Sequence, residues 1–240
     1  MNTTSGLSTN TLMCFLRKFY WNLHSYTWDE FLDSTDYSTE IDDIVQIAEK
    51  HKTTNHPTLL DQGCATGSYS IAFSKRNYTV TGIDYAPKMV RKAKMNANIH
   101  DLNNISFLIS DYNKGLDFKS THFDFVLSAH TNLDINNNSD IIREIKRVLK
   151  NDGILLVVVK RINPKKVSMV IDNKIFLRLF LWLIKSTFFS GHRKRLIDIR
   201  KIQTQIESMG FAVICKADTI YNNVLLFKKN LTLEQKNSHA

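Results

Sequence analysis

The stretch Thr58-Leu-Leu-Asp-Gln-Gly-Cys-Ala-Thr-Gly-Ser68 decides how the rest of the chain is read. Leu59 and Leu60 make a short apolar run that stops at Asp61, which predicts a buried strand running into a turn. Gly63 and Gly67 break the strand, because glycine enters backbone angles closed to other residues and lets a ligand lie on the main chain. Tyr69, Ile71, Ala72 and Phe73 then predict a helix starting near Gly67. The next strand, Tyr78 to Asp84, ends in a carboxylate 21 positions after Gly63. Strand, glycine turn, helix and strand-terminal acid together form half of a nucleoside-binding site.

Outward from that unit, strand and helix patterns alternate. Pro87 suits the first turn of a helix running to Asn98, since its missing N–H needs no partner there. Ile105 to Ile109 is a third strand, followed by Asp111, and Phe123 to Ala129 a fourth, apolar enough to be covered on both faces. Asp140 to Lys150 has helical periodicity, Asn151-Asp-Gly153 is a stop, and Ile154 to Val159 is a fifth strand. Ile199 to Met209 returns to helix, and Phe211 to Ala217 with Asn223 to Lys228 predicts an antiparallel pair turning at Tyr221 to Asn223. Before the first strand, Thr11 to Tyr26 and a segment capped by Ser38 or Thr39 and running to His51 predict two amphipathic helices. Repeated strand–helix units imply a mainly parallel α/β sheet, doubly wound and Rossmann-like.

The chain of 240 residues is long enough for one such domain with elaborations. Its expected parts are an N-terminal helical cap (1–52), a core (57–160), a helical lid insert (164–195), and a C-terminal helix with a strand pair (197–229). Three scattered cysteines, Cys14, Cys64 and Cys215, argue against a disulfide framework or a metal site and for a reducing, cytoplasmic setting. The net charge of +9 is concentrated between Lys160 and Lys201, where 12 Lys or Arg face two Asp. Such a stretch suits an anionic partner or a solvated helix face equally.

Spacing narrows the cofactor. Gly63, Ala65 and Gly67 are followed by Ser68 where the third glycine of a dinucleotide fingerprint falls, and no Gly-Lys-Ser/Thr phosphate loop is present. A nucleoside lacking phosphates remains, with Asp84 placed to accept from its ribose diol.

The chain resembles a class I S-adenosylmethionine-dependent methyltransferase of the small-molecule, ubiquinone/menaquinone-type subgroup. The resemblance rests on Leu59 to Gly67, Val80 to Met89, Phe107 to Asp111, Phe123 to Ser128, Ile141 to Val158 and Met209-Gly-Phe211. It implies a seven-stranded sheet with an antiparallel last strand, and S-adenosyl-L-methionine as cofactor. By resemblance, Asp61 and the backbone of Gly63, Cys64, Ala65, Thr66 and Gly67 hold the methionine end, and Asp84 the ribose with Tyr85 beside the adenine. Asp111 accepts from the adenine amino group flanked by Tyr112, and Ser128 to His130 lie under the sulfonium. N-terminal helices cover this site in similar proteins, which makes Tyr20, Trp21, Tyr26 and Trp28 candidates for a lid. The chain departs from the family pattern at Ala65, where glycine is frequent. It departs again at His130-Thr-Asn-Leu-Asp134, where relatives often carry Glu-x-x-x-His.

His130 is the candidate general base, since imidazole titrates near neutral pH; the commoner role is packing against the cofactor. The acceptor is expected to be a small, lipophilic or anionic molecule. Ser128-Ala-His-Thr131 lacks the Asn/Asp-Pro-Pro-aromatic tetrad of base N-methyltransferases, which disfavours nucleic acid. Ile175 to Ile184 is apolar with basic flanks but too short to span a bilayer. It suits a substrate lid or peripheral contact with a membrane surface through 164–195. Two other readings stay open: an inactive cofactor-binding partner subunit, and an RNA methyltransferase recruited through 160–201.

Overall fold

The computed structural model describes residues 9–33, 37–131, 139–160 and 198–230. The expected insert at 164–195, the basic cluster within it and Asp134 lie outside the described residues. The elements run α1 (Thr9–His24), α2 (Trp28–Asp33), α3 (Tyr37–Glu49), β1 (Thr58–Gln62), α4 (Ser68–Ser74), β2 (Thr79–Asp84), α5 (Pro87–Asn98) and β3 (Ile105–Ile109). They continue with β4 (Phe123–Ala129), α6 (Ser139–Val148), β5 (Leu149–Lys160), α7 (Ile199–Ser208), β6 (Phe211–Asp218) and β7 (Asn222–Lys229).

The strands form one seven-stranded sheet in the order β3-β2-β1-β4-β5-β7-β6. β1 to β5 pair in parallel, and β7 runs antiparallel to both β5 and β6. Alternation along each strand divides the core between the two faces of the sheet. Leu60, Val126, Leu155 and Val157 pack with Ile142, Ile145 and Ile206 from the helices of one face. Leu59, Phe125, Leu127 and Leu156 pack with Ile44, Val45 and Phe73 on the other. Each fully buried aliphatic side chain contributes roughly 1.5–3 kcal/mol, so the two layers explain why these strands read as continuous apolar runs.

Among the boundaries that differ from expectation, two are informative. β5 begins at Leu149 rather than Ile154, because Leu149 pairs with Phe123 before the register slips and Phe125 meets Ile154. The Asn151-Asp-Gly153 signal therefore marks an irregularity inside a strand, not a loop before one. α3 begins at Tyr37, so Ser38 and Thr39 lie within its first turn instead of capping it.

The N-terminal helices lie against α5. The Asn22 side chain of α1 accepts from the Lys88 backbone N–H at 2.9 Å, supplying the cap that Ala86 lacks. Asn96 donates to Asp29 of α2 at 3.2 Å and to the Thr66 carbonyl at 3.1 Å, which ties these helices to the glycine turn. Tyr20, Trp21 and Trp28 pack on one another and on His24, with ring centroids 5.2–5.8 Å apart, as a small core of their own. Tyr26 is exposed, with the Lys88 ammonium 4.9 Å from its ring.

Candidate functional site

The parallel strands deliver their polar ends to one edge. β1 ends in Asp61 and Gln62, and the chain folds back so that the Gly63 and Cys64 N–H groups both donate to the Ile83 carbonyl of β2, at 2.8 and 2.9 Å. That fold-back uses left-handed backbone at Gly63 (φ +78°), Ala65 (φ +48°) and Gly67 (φ +88°). A Cβ on Gly63 would stand 2.7 Å from Thr131 Cγ2, and one on Gly67 would stand 2.9 Å from the Phe107 ring. Both positions therefore demand glycine twice, for conformation and for space. Ala65 tolerates the same backbone region at a cost of about 1 kcal/mol.

The two strand-end acids meet across this turn. Asp84 accepts from the Ala65 N–H at 3.1 Å and from the Ala86 N–H at 2.8 Å. Asp61 accepts from the Ser70 hydroxyl at 2.5 Å. Both carboxylates are buried, and neither has an ion pair among the described residues. Burial, with the Asp84 charge adding to it and the Ser70 bond opposing it, pushes the Asp61 pKa up to about 7. Burial likewise raises Asp84 to about 6 against the pull of its backbone donors. Burial and the two acids also push the Cys64 thiol up, so it is no nucleophile.

Tyr85 follows Asp84. Burial raises its pKa, with the Asp84, Tyr112 and Asp111 charges acting in the same direction and Arg17 of α1 against them. Tyr112 leans over Gly63 and is raised to about 12, again chiefly by burial. Asp111 caps the short turn Tyr112–Lys114, accepting from the Asn113 N–H at 3.2 Å. Thr66 is fully buried and its hydroxyl has no partner among the described residues.

The end of β4 presents a second cluster. Ser128 is buried and shares a hydrogen bond with Thr131. His130 takes a left-handed backbone angle (φ +53°), and its Nε2 bonds the Tyr37 hydroxyl from α3. Tyr37 also meets the Tyr69 hydroxyl at 3.3 Å and the Asn222 amide at 3.1 Å. Burial, then the Lys160 charge, lowers the His130 pKa to about 4. The residue is exposed at the rim, where water tempers burial.

Asp61, the Gly63–Gly67 turn, Asp84, Tyr85 and Tyr112 thus converge, with Asp111 at their margin and Ser128 and His130 along the same edge. Sequence reasoning missed Ser70, Tyr37, Tyr69 and Asn222. Tyr37 and Asn222 are 185 positions apart, and no local pattern marks either. No metal-binding group of His, Cys, Asp and Glu occurs among the described residues, and none of their helices is long and apolar enough to cross a membrane.

Comparison with known proteins bears on the family and the fold. A 23S rRNA (uracil(1939)-C(5))-methyltransferase from Shewanella amazonensis is 38% identical over 58 residues, 24% of this chain and 13% of that one. A demethylmenaquinone methyltransferase from Leptospira interrogans is 26% identical over 183 residues, 71% of this chain and 74% of that one. The chain spans a third or less of the length of the curated relatives to which it is 33% or more identical. The crystal structure of a putative S-adenosyl-L-methionine-dependent methyltransferase from Methanococcus maripaludis aligns with a TM-score of 0.63 at 18% identity, over 88% of this chain and 94% of that one. At that identity it speaks for the fold. The family pattern of a methyltransferase domain matches residues 53–180. Because that pattern takes in more than half of the chain, this protein belongs to the methyltransferase-domain family.

Proposed function

We propose that the protein moves a methyl group from S-adenosyl-L-methionine to a small-molecule acceptor. The observation that carries this reading is the buried acid pair, Asp61 and Asp84, flanking the glycine turn without an ion-pair partner among the described residues. A carboxylate held this way is costly until a cation or donor arrives. The methionine end of the cofactor brings positive charge, and its ribose brings two hydroxyl donors. The site's acidic acceptors fit that ligand.

When bound, the cofactor would supply a methyl activated on a sulfonium for the acceptor's lone pair, the S–C electron pair returning to sulfur. Asp61 would take the positive methionine end beside the Gly63–Gly67 backbone. Asp84, with its backbone bonds to Ala65 and Ala86 kept, would use its remaining lone pairs for the ribose. Tyr85 and Tyr112 would flank the adenine with Asp111 at its edge, while Ser128 and His130 would border the acceptor. Acceleration comes mainly from holding acceptor and methyl in line, with little need for further chemistry from the protein.

The small-molecule acceptor is supported by the extent of the match to the demethylmenaquinone methyltransferase, which runs through most of both chains. The match to the RNA enzyme is confined to 58 residues. Calorimetry with S-adenosylmethionine and S-adenosylhomocysteine tests the cofactor: saturable binding of both is expected, and absence of both overturns the reading. Mass spectrometry of a small-molecule extract incubated with methyl-labelled cofactor tests the acceptor. A labelled small molecule is expected, and label confined to RNA or protein overturns that part.

A further inference from the structure

The polar chain behind His130 admits one consistent arrangement of protons. Glu40 of α3 is buried, has no ion pair among the described residues, and gathers three donors on one oxygen. These are the Thr219 hydroxyl, the Tyr221 N–H at 3.2 Å and Asn222 Nδ2 at 2.7 Å. A carboxylate oxygen only accepts, so it fixes which way the Asn222 amide faces. Asn222 Nδ2 spends its second hydrogen on the Tyr37 hydroxyl at 3.1 Å. Tyr69 is buried, and its hydroxyl bonds Tyr37 at 3.3 Å. Burial and the Glu40 charge raise the pKa of Tyr37 and Tyr69, so both stay protonated. If Tyr69 did not donate to Tyr37, its buried O–H would lack an acceptor among the described residues, at a cost of about 1–3 kcal/mol. The Tyr37 oxygen therefore accepts from Asn222 and Tyr69, and its one proton goes to His130 Nε2. A neutral imidazole that accepts at Nε2 carries its hydrogen on Nδ1, and Nδ1 has no partner among the described residues.

We propose that Tyr37, anchored through Asn222 to Glu40, is a positioning residue that fixes His130 as a neutral imidazole with its proton on Nδ1, and that this N–H is the donor for an oxygen on the methyl acceptor. The second half rests on the methyltransferase reading; the first does not. His130 then orients the acceptor and is not its base, since neither ring nitrogen is free to take a proton. The groups facing the ring are Tyr37 from α3, Tyr69 from α4 and Lys160 from β5, with Tyr221 stacked on Tyr37 at 6.4 Å and Glu40 one step further back, bonded to Asn222. None of them is a carboxylate in contact with the imidazole that would favour the charged form.

Long-range proton–nitrogen spectra of the full chain carrying nitrogen-15 histidine read the tautomer without cofactor or turnover. The His130 signals are assigned by their loss in His130→Gln. At pH 7 the wild type is expected to show protonated Nδ1 and unprotonated Nε2; a predominant Nε2–H form overturns the proposal without touching the methyltransferase reading. Tyr37→Phe is expected to release the ring toward the Nε2–H form and raise its pKa by about one unit or more, with Asn222→Leu a weaker version. An unchanged tautomer in Tyr37→Phe overturns the anchoring role. Acetate, as a simple oxygen acceptor, is expected to move the Nδ1–H resonance, and methylammonium at equal ionic strength is not. Equal responses to the two overturn the assigned acceptor chemistry.

Discussion

The foot and the rim of the sheet treat the same functional group in opposite ways. At the foot of β4, Asp124 accepts from the Thr58 N–H at 2.8 Å, the Thr58 hydroxyl at 2.7 Å and the Lys150 ammonium at 2.9 Å. Burial works against its charge, yet the bonds from Lys150 and Thr58 hold its pKa below the ordinary value. At the rim, Asp61 and Asp84 are more deeply buried, have no ion-pair partner among the described residues, and are raised to about 7 and about 6. Asp124 is complete within the chain and clamps β1 to β4. The rim acids are incomplete, and the stability they cost is returned only when something with positive charge or donor hydrogens enters.

The largest expected effect lies at the rim. Asp84→Asn keeps one acceptor oxygen but loses the charge that two hydroxyl donors require, and charge-assisted bonds are worth about 1.5–3 kcal/mol each. S-adenosylhomocysteine affinity in calorimetry is expected to fall about 100-fold (~2.7 kcal/mol). Asp124→Asn is expected to leave that affinity unchanged. Loss of binding in both variants would erase the distinction between rim and foot.

The next effect belongs to the foot. Asp124→Asn turns a donor toward Thr58 or Lys150. Allowing for a half-exposed Lys150, the loss is about 2 kcal/mol, or about 4–8 °C in Tm for a chain of this size. Asp61→Asn keeps an oxygen for the Ser70 hydroxyl and removes a buried charge, so the ligand-free protein is expected to melt no lower than wild type at pH 7. A large drop for Asp61→Asn in differential scanning calorimetry would make it a structural acid like Asp124.

A smaller effect is the response of the ligand-free protein to pH. Asp61 and Asp84 bind their protons more tightly folded than unfolded, so stability falls as pH rises from about 3.8 through about 7 and about 6, respectively. His130 has the opposite sign: lowered from 6.5 to about 4, it makes stability fall as pH drops through that window. Removing one acid from this balance shifts it toward neutral pH. Melts at pH 5 and pH 7 are expected to show Asp61→Asn gaining about 1–2 kcal/mol over wild type at the higher pH relative to the lower. Parallel pH slopes would mean that Asp61 is not held at a cost.

Sequence and structure agree best where the site is built from neighbours in the chain. Asp61, the turn and Asp84 span two consecutive strands; their spacing encodes both the fold-back and the approach of the acids. The sheet is legible for the same reason, since each strand carries its own apolar run. β5 starts earlier than its apolar run because Asn151-Asp-Gly153 has the composition of a helix stop, and a register slip inside a strand has the same composition. The Tyr37 cluster was illegible for a different reason. His130 lies 93 positions from Tyr37, and Asn222 lies 182 from Glu40, so only the packing of α3 against the sheet and the β6–β7 turn brings them together. Asn222 reads as part of a turn but begins β7, and Tyr37, just ahead of the expected cap, is the first residue of α3; neither local pattern points to the other residue.

Backbone strain gives the finest version of the contrast. Ala65 at the rim and Thr121 at the foot both take left-handed angles, φ +48° and φ +53°. Thr121 is β-branched, which makes this region costlier for it than for alanine. It is held there by its N–H bond to the Arg147 carbonyl at 2.9 Å, which fastens the entry of β4 to the end of α6. Replacement by glycine relieves strain but adds freedom to the unfolded chain, worth about 0.5–1 kcal/mol against the folded state. Thr121→Gly is therefore expected to raise stability by about 1 kcal/mol, and Ala65→Gly by about 0.5 kcal/mol or less. The two should separate in cofactor affinity. Thr121 lies at the opposite end of the sheet from the turn, whereas the Ala65 N–H is one of the donors that aim Asp84. A looser turn at residue 65 is expected to weaken S-adenosylhomocysteine binding by about twofold (~0.4 kcal/mol), and Thr121→Gly to leave it unchanged. Tighter binding by Ala65→Gly would instead mean that the alanine methyl group obstructs the ligand, and that the turn's strain serves no purpose in holding Asp84.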